Sequence, residues 1–277
     1  MAESAKKSLS SKRKLFLTIA FLFFLAVALF SATNIVIGLR EYIISENEYE
    51  KLREIYEPIE YAQPEVIVAD HNESPVVLET DDPEEVEEEA VPVEMPPAAS
   101  PPRDPVEVNG DYIGWLKING TVINYPMVRG QDNEKYLKTS FEGQKNGLGA
   151  VFMDYRCSGD FCDHHSIIYA HNAKNGSMFG SLSKYLDADY LEKHREITIT
   201  LPNGEKETWR IFAARKSDIT DHAYRIVFST PENFAVFAES LEAPAGTNRI
   251  LTLSTCTTGG GDDERMLVHA AILEYNY

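Results

Sequence analysis

Apolar residues fill one stretch near the start of the chain and alternate with polar ones over much of its second half. Residues 15–39, LFLTIAFLFFLAVALFSATNIVIGL, contain no charged side chain over 25 positions. A helix of about 20 apolar residues crosses the hydrocarbon core of a bilayer, so the run predicts a transmembrane helix with some tilt. A cleaved signal peptide is the alternative, but its apolar region is usually ~7–15 residues long. We therefore expect an uncleaved anchor.

The residues before this run define its expected orientation. Positive charge near a membrane-spanning end is retained in the cytoplasm. We therefore expect residues 1–14 to be a cytoplasmic tail and everything after Arg40 to lie outside the cell, in a single-pass membrane protein. The basic residues of the tail are Lys6, Lys7, Lys12, Arg13 and Lys14.

Two segments of different character follow the apolar run. Residues 40–57 lack Gly and Pro, and apolar residues recur near a helical period, which predicts a juxtamembrane helix. These residues are Ile43, Ile44, Tyr49, Leu52, Ile55 and Tyr56. Its role is open between a spacer and a docking element. Residues 58–105 carry ten prolines and the acidic run DDPEEVEEE. Such a segment buries too little apolar surface to offset its ordering entropy, so we expect a disordered linker that acts as a stalk and holds a head off the membrane.

The net charge of -18 is concentrated in this linker. Fifteen Asp and Glu, with no Lys or Arg, lie between Glu54 and Pro102, which leaves about -3 for the remainder. The acidity therefore belongs to a tether and not to a binding surface, and nucleic acid is not an expected partner.

Short β-rich runs recur through residues 106–277, with turn sequences such as NG and PNG between them. They predict one domain of mainly β class, an eight-stranded β-barrel with short helical insertions. The eight runs are YIGWLKI, VINYPMV, AVFMDYR, SIIYAH, EITITL, TWRIFAARKS, NRILTLST and MLVHAAILEY. Three further runs, NEKYLK, SMFGSLSKYLDADYLEKH and TPENFAVFAESLE, predict short helices. In the last of these, Thr230 is the expected N-cap and Pro231 the first helical residue.

Cys256 ends one of the strand runs, in TLSTC, and a run of three glycines follows soon after. Strand alternation puts Thr252, Ser254 and Cys256 on one face, which becomes small and polar toward its end. The glycines predict a flexible loop. A cysteine where a strand meets a loop is placed to meet a ligand. These residues alone leave two interpretations open, a nucleophile and a buried structural thiol.

A nucleophilic cysteine reacts as its thiolate and needs a proton acceptor or a nearby cation. His171 follows the apolar strand SIIYA and begins a loop, so it can project into a cleft. Arg265 begins the strand after the glycine loop, and antiparallel pairing of strands 249–255 and 266–275 would place it beside Cys256. Its permanent charge could hold an oxyanion there. His269, within MLVHAAIL, is interpreted as a structural barrel residue.

These motifs together resemble the sortase family of membrane-anchored cysteine transpeptidases. The TLSTC strand, the upstream His171 and the later Arg265 match the family pattern. VINYPMVRGQDNEKYLKTSFEG, GAVFMDYR and TPENFAVFAESL are similar to its class B branch. The resemblance covers roughly residues 110–275 and implies a sortase-like barrel.

The resemblance implies a role for each of these residues. Cys256 would be the nucleophile and His171 the general acid and base. Arg265 would steady the substrate backbone and the oxyanion. Ser254 and Thr255, beside the thiol, are weaker candidates for substrate contact.

The resemblance also implies a reaction and its partners. Cys256 would attack a Thr carbonyl in the C-terminal sorting signal of a surface protein, and a cell-wall (peptidoglycan) precursor amine would resolve the thioester. No cofactor, metal or nucleic acid is expected. The N-terminal helix is expected to anchor the protein in the membrane. Two alternatives stay open: an extracellular, membrane-anchored cysteine peptidase that only hydrolyses, and a sortase that polymerises pilins. A tethered module without catalysis is disfavoured by the set of Cys, His and Arg.

Cys157 and Cys162 form a separate group in RCSGDFCDHH. A disulfide between them is sterically reasonable. Two free thiols, or a metal site that includes His164 or His165, are the alternatives, although this spacing is not a firm zinc pattern. The sequence leaves all three open.

Overall fold

The computed structural model of the chain describes residues 2–56, 104–256 and 264–272. Its first element, helix α1 (Ala2–Tyr56), is continuous. The sequence predicts two helices here, over residues 15–39 and 40–57, and they join because no proline separates them. By length and composition, the part of α1 that begins at Leu15 could cross a membrane. The predicted disordered linker lies outside the described residues as far as residue 103.

The last turns of α1 pack against the rest of the protein. Ser45, Tyr49, Leu52 and Tyr56 follow one another at spacings of three or four residues and so share one face of the helix. Tyr49 and Leu52 are each only 1% exposed. The ring of Tyr49 meets that of Tyr125 edge to face, with centroids 5.4 Å apart. Of the two roles that the sequence leaves open for this segment, the structure shows docking.

Eight strands make up the body of the protein. They are β1 (Tyr112–Ile118), β2 (Asn124–Val128), β3 (Val151–Met153), β4 (His165–His171), β5 (Glu196–Thr200), β6 (Lys206–Asp218), β7 (Ile250–Cys256) and β8 (Glu264–Ile272). They close into a barrel in the order β1-β2-β3-β4-β7-β8-β6-β5, which confirms the predicted mainly β fold. Neighbouring strands are antiparallel except for two pairs, β2 with β3 and β4 with β7, which run parallel.

Large apolar side chains fill the barrel because alternate residues of each strand point inward. In β5, Ile197 and Ile199 are buried and their neighbours are not. Ile197 pairs with Trp209 of β6 on one side and with Ile118 of β1 on the other. Removal of this apolar surface from water, at roughly 25 cal/mol per Å², is the main term that stabilises the barrel.

Short helices connect the strands. Helix α2 (Pro105–Val108) precedes β1, and the predicted helix over residues 133–138 is only one 3₁₀ turn, Lys135–Leu137. The predicted helix over residues 177–194 divides into a 3₁₀ helix, Gly180–Leu186, and α3 (Ala188–Lys193). The division falls at Asp187, whose carboxylate accepts a hydrogen bond from the backbone N–H of Tyr190 at 2.8 Å and so caps the second helix.

The last short helix, α4 (Pro231–Ser240), begins where the sequence predicts. The hydroxyl of Thr230 caps it by accepting from the backbone N–H of Asn233 at 3.3 Å. Phe234 and Phe237 are buried and, with Ile250 and Leu267, belong to a second apolar cluster. The helix is therefore fixed to the two strands, β7 and β8, that carry the candidate chemistry.

Candidate active site

His171 and Cys256 are paired residues at the ends of two parallel strands. The ladder between β4 and β7 runs in unbroken register from His165 opposite Ile250 to His171 opposite Cys256. Neighbouring strands lie about 4.8 Å apart. The register therefore brings together two residues that are 85 positions apart in the sequence. Each strand has aliphatic residues at its centre that are unexposed, Ile167 and Ile168 in β4 and Leu251 and Leu253 in β7, which suits strands buried on both faces.

The imidazole of His171 is held by the backbone. The residue is 9% exposed, and its Nε2 lies 2.7 Å from the carbonyl oxygen of Leu137. Because a carbonyl only accepts, Nε2 carries the proton of this hydrogen bond. The other ring nitrogen, Nδ1, is buried and has no hydrogen-bond partner among the described residues. Nδ1 is thus the nitrogen available to exchange a proton with a reacting group.

Arg265 is the second residue of β8, which pairs antiparallel with β7 from Ile250 opposite Ala271 to Ser254 opposite Leu267. The same register continued by two residues would set Arg265 opposite Cys256. The side chain of Arg265 is partly exposed, and one of its N–H groups donates to the carbonyl of Glu264 at 3.3 Å. The predicted antiparallel pairing is confirmed. The glycine loop, residues 257–263, lies outside the described residues.

The two residues before the cysteine point their hydroxyls into the protein. Ser254 and Thr255 are 0% and 3% exposed. Thr255 Oγ1 accepts from the backbone N–H of Met266 at 2.9 Å. The hydroxyl of Ser254 lies 2.9 Å from that of Tyr224. These contacts join the end of β7 to its neighbours.

A cleft of about 460 Å³ opens beside Arg265. Its walls combine apolar and aromatic side chains with a small number of charged and amide groups, which is the usual make-up of a ligand site. The rings of Tyr169 and Tyr224 stack at 6.5 Å, with an interplanar angle of 16°. The residues that line it are Asn133, Leu137, Phe152, Asp154, Arg156, Tyr169, Ile219, Tyr224 and Arg265.

A buried carboxylate fixes the geometry of this cleft. The side chain of Asp154 is unexposed and accepts from Nε and one terminal nitrogen of Arg156, at 2.9 and 2.8 Å. Tyr169 and Asn133 donate to it at 3.0 and 3.1 Å. Burial acts to raise the pKa of Asp154, but the hydrogen bonds from Arg156 outweigh it and hold the pKa below its usual value. Burial also raises the pKa of Tyr169, so its hydroxyl remains a donor.

The sequence pattern indicates no role for the carbonyl of Leu137, for Tyr169 and Tyr224, or for the ion pair of Asp154 and Arg156. A sequence signal existed for Tyr169, which lies two residues before His171 and therefore on the same face of the strand. Asp154 and Arg156 follow β3 directly, in GAVFMDYR. No sequence signal marks the carbonyl of Leu137, because every residue has a backbone carbonyl.

Two further histidines lie inside the barrel, and neither they nor His171 are among the described residues that line the cleft. His269 is buried, and its Nδ1 lies 2.9 Å from the hydroxyl of Thr252, in agreement with the predicted structural role. The same hydroxyl lies 2.7 Å from Nε2 of His165, whose Nδ1 lies 2.7 Å from the carbonyl oxygen of Arg225. Burial lowers the pKa of His165 to about 4 and that of His269 to about 3. Both rings are therefore neutral at physiological pH.

Cys157 and Cys162 are free thiols, the first buried and the second exposed. Of the three states left open by the sequence, the structure has no disulfide between them. His164 stacks on Phe234 with centroids 4.7 Å apart, and its Nδ1 lies 3.0 Å from the carbonyl of Asn248. Within the described ranges, no group of three or more His, Cys, Asp or Glu side chains is arranged to hold a metal ion.

Comparison with known proteins agrees with this fold. A family model described as "Sortase domain" matches residues 116–273. Sortase B of Listeria monocytogenes is 36% identical over 169 residues, which cover 56% of this chain and 67% of the relative. Sortase B of Staphylococcus aureus is 30% identical over 174 residues, which cover 60% of this chain and 71% of the relative.

Solved structures give the same result. A structure of the Staphylococcus aureus sortase B–substrate complex matches with a TM-score of 0.57 and 30% identity, covering 61% of this chain and 83% of that one. Sortase B from Bacillus anthracis in complex with AAEK1 matches with a TM-score of 0.55 and 30% identity, covering 61% and 82%. The chain belongs to the sortase family of cysteine transpeptidases, in its class B branch. Members of this family act on proteins that carry a sorting signal and on peptidoglycan precursors.

Proposed function

We propose that Cys256 is the nucleophile, His171 the general acid and base, and Arg265 the group that stabilises the oxyanion, in a transpeptidase that cleaves a C-terminal sorting signal at a Thr carbonyl. The observation that carries this proposal is the register of β4 and β7, in which His171 lies opposite Cys256. A nucleophile and its proton-transfer partner on directly paired strands need no loop movement to meet.

The proposed reaction has two halves. The Cys256 thiolate attacks the Thr carbonyl carbon and forms a C–S bond, and the carbonyl oxygen becomes an oxyanion. The C–N bond then breaks, and the leaving amine takes the proton from Nδ1 of the His171 imidazolium. In the second half the amine of a cell-wall precursor attacks the thioester, His171 Nδ1 accepts its proton, and the C–S bond breaks to restore the thiolate.

The hydrogen bond from His171 Nε2 to Leu137 supports this division of labour within the ring. Because Nε2 donates its hydrogen bond to a backbone carbonyl, every proton in the proposed cycle passes through Nδ1. The carbonyl also stabilises the imidazolium, which is the part that a carboxylate plays in a Ser-His-Asp triad. A neutral carbonyl does so more weakly than a carboxylate.

Arg265 is proposed to act on charge that develops at the carbonyl oxygen. A guanidinium offers five N–H donors in a fixed plane, and it remains charged at every pH of interest. The oxyanion exists only in the transition state and the tetrahedral intermediate, so a donor aimed at it lowers the barrier without binding the substrate more tightly. Ser254 and Thr255 stay as weaker candidates, with Ser254 proposed to act through Tyr224 of the cleft wall.

We propose that the sorting signal binds in the cleft. Its stacked tyrosines offer apolar faces to the peptide side chains, and Asp154, paired with Arg156, holds Tyr169 in place by accepting from its hydroxyl. We further propose that residues 1–14 are cytoplasmic, that residues 15–39 span the membrane, and that residues 106–277 form the extracellular catalytic domain. Substrate and acceptor then both meet the enzyme outside the cell.

The test uses the full chain in detergent micelles and a library of threonine-containing signal peptides. We expect mass spectrometry to find an acyl adduct on Cys256, and we expect Cys256→Ala to abolish it. An added amine should divert the product from hydrolysis to ligation. Hydrolysis alone with every amine tried would favour a cysteine peptidase, and adduct formation that survives Cys256→Ala would refute the proposal. Ligation to a wall-precursor amine, as against the amine of a pilin side chain, separates wall anchoring from pilus assembly.

A further inference from the structure

The docked end of α1 lies against the segment that holds His171. This bridging segment, residues 136–150, leads from the 3₁₀ turn that contains Leu137 to the start of β3. Its first part supplies the carbonyl that accepts from His171 Nε2. Its last part contacts α1. Each step between the helix and the imidazole is a direct contact.

The first contact joins Tyr49 to Gly149. The hydroxyl of Tyr49 donates to the carbonyl oxygen of Gly149, and both groups are buried. The ring of Tyr49 is also fixed by its edge-to-face contact with Tyr125. The position of the Gly149 peptide is therefore set by a side chain of α1.

The second contact joins Gly149 to the turn of Leu137. Gly149 has φ of +60°, and a Cβ at this position would lie 2.3 Å from the carbonyl oxygen of Tyr136 and 2.9 Å from that of Leu137. Only glycine can approach so closely. The next residue, Ala150, donates its N–H to Tyr136 at 2.9 Å. The carbonyl that holds His171 is thus packed against the residue that Tyr49 holds.

A second series of contacts joins α1 to the turn of Leu137 through Asn146. Ser45 donates to Asn146 Oδ1 at 2.5 Å, and Asn146 Nδ2 donates to Glu48 at 3.0 Å. The backbone N–H of Asn146 donates to the carbonyl of Lys138, next to Leu137, at 3.0 Å. Two neighbouring turns of α1 therefore contact the bridging segment.

The chain on the other side of His171 is also linked to α1. Tyr125, against which Tyr49 packs, accepts a hydrogen bond on its hydroxyl from the backbone N–H of Met178 at 2.9 Å. Phe179, the next residue, donates to the carbonyl of His171 at 3.0 Å. Both the ring and the backbone of His171 are therefore connected to Tyr49 through short series of contacts.

We infer that the docked end of α1 is a positioning element of the active site, with Tyr49 as its main positioning residue. The helix holds the carbonyl of Leu137 where His171 Nε2 can donate to it, and so directs Nδ1 toward the reacting groups. This inference rests on the proposed role of His171. Catalysis then depends on a helix that touches neither substrate nor thiol, because a small displacement of a catalytic group has a large effect on rate.

Tyr49→Phe in the full chain, in detergent micelles, tests the inference, because it removes only the hydroxyl. Tyr185→Phe is the matched control: its ring is 2% exposed and its hydroxyl donates to the backbone carbonyl of His194 at 2.8 Å. We expect Tyr49→Phe to lower kcat about tenfold with KM changed less than twofold, since only the proton-transfer geometry changes. In protein labelled with ¹⁵N in its histidine rings, the Nε2–H resonance of His171, assigned by its loss in His171→Ala, should shift or broaden. Tyr185→Phe should change neither.

A folded Tyr49→Phe variant that leaves the His171 resonance unchanged overturns the inference, whatever its kcat. Should that variant not fold, Ser45→Ala replaces it with the same readouts and the same criterion. The resonance also separates this inference from the proposed function. If His171→Ala still forms the thioester, the proposed function fails, whereas an unmoved N–H signal in Tyr49→Phe refutes the positioning role whatever the activity.

Discussion

The Nε2 of His171 lies 2.7 Å from the carbonyl oxygen of Leu137, and this bond leaves Nδ1 as the free nitrogen of the ring. A backbone carbonyl cannot be removed by mutation of its own side chain. Its effect on the ring can therefore be changed only through the residues that hold the peptide. The active site is for this reason best tested by substitution of other residues, such as Arg265 and Asp154.

Two substitutions of Arg265 should separate the effect of its positive charge on kcat from the effect of its planar hydrogen-bonding geometry. We expect Arg265→Ala to lower kcat by about 100-fold or more, as the loss of an oxyanion donor does in other acyl-transfer enzymes. Arg265→Lys should recover part of the loss, because it keeps the charge but not the planar fork. Steady-state kinetics with ligation as the readout measures both. Arg210→Ala, at an exposed position that does not line the cleft, is the control and should stay near the wild-type rate.

Removal of the charge on Asp154 should destabilise the protein. In Asp154→Asn the guanidinium of Arg156, whose side chain is 44% exposed, loses its charged partner, and we expect the free energy of unfolding to fall by roughly 2 kcal/mol. Urea denaturation of the full chain in detergent micelles measures it. Glu192→Gln removes the charge from an ion pair with Arg195 whose carboxylate is 69% exposed, and it should cost well under about 1 kcal/mol. Equal losses in the two variants would contradict the assignment of Asp154 as the anchor of the cleft.

Stability should fall in acid because of the two buried histidines. The folded protein keeps the pKa of His165 at about 4 and that of His269 at about 3, whereas the unfolded chain has the ordinary value near 6.5. Between these values the unfolded state binds more protons than the folded state. The stabilising contribution is therefore complete above about pH 6.5 and is lost as the pH falls toward 4, by up to ~1.4 kcal/mol per pH unit for each histidine.

His269→Leu provides the comparison for this pH dependence. The variant has one buried imidazole fewer, so the free energy of unfolding should decline less steeply between pH 6.5 and pH 4. Chemical denaturation at a series of pH values gives the two slopes. Identical slopes would show that His269 does not contribute to the loss of stability in acid.

Thiol accessibility should distinguish the remaining cysteines. In a Cys256→Ala background we expect Cys162 to react at once with an aromatic disulfide reagent, because it is exposed. Cys157 should react only after denaturation, since it is buried and burial raises its pKa to about 12. Mass spectrometry of the modified protein counts the thiols. A count of zero before reduction would mean that the two form a disulfide.

The strands could be predicted from sequence because their pattern is local. YIGWLKI forms β1 from its first residue to its last, since alternation and turn residues at both ends define it. The cap of α4 by Thr230 could also be predicted, because a helix cap depends on a few neighbouring residues. The antiparallel pairing of β7 with β8 followed from the order of two strands joined by a glycine-rich sequence.

Contacts between distant residues could not be predicted in this way. Tyr224 reaches Tyr169 only because the barrel brings their segments together, and neither sequence context differs from that of a core tyrosine. The carbonyl of Leu137 has the same chemistry as any other carbonyl, so only its position identifies it. The docking of Tyr49 was an open alternative, since a helical period shows which face is apolar but not what covers it.

The continuity of α1 has a consequence for how far the enzyme can reach. If residues 15–39 cross the bilayer as proposed, about 9 Å of helix separates Leu39 from Ser45, the first residue of the docked face, at 1.5 Å per residue. The height of the barrel above the lipid is then set by helical rise and not by the length of residues 57–103, which join two parts of the chain that are both attached to the barrel. The enzyme would search for its substrates by lateral diffusion in the plane of the membrane, at one fixed height.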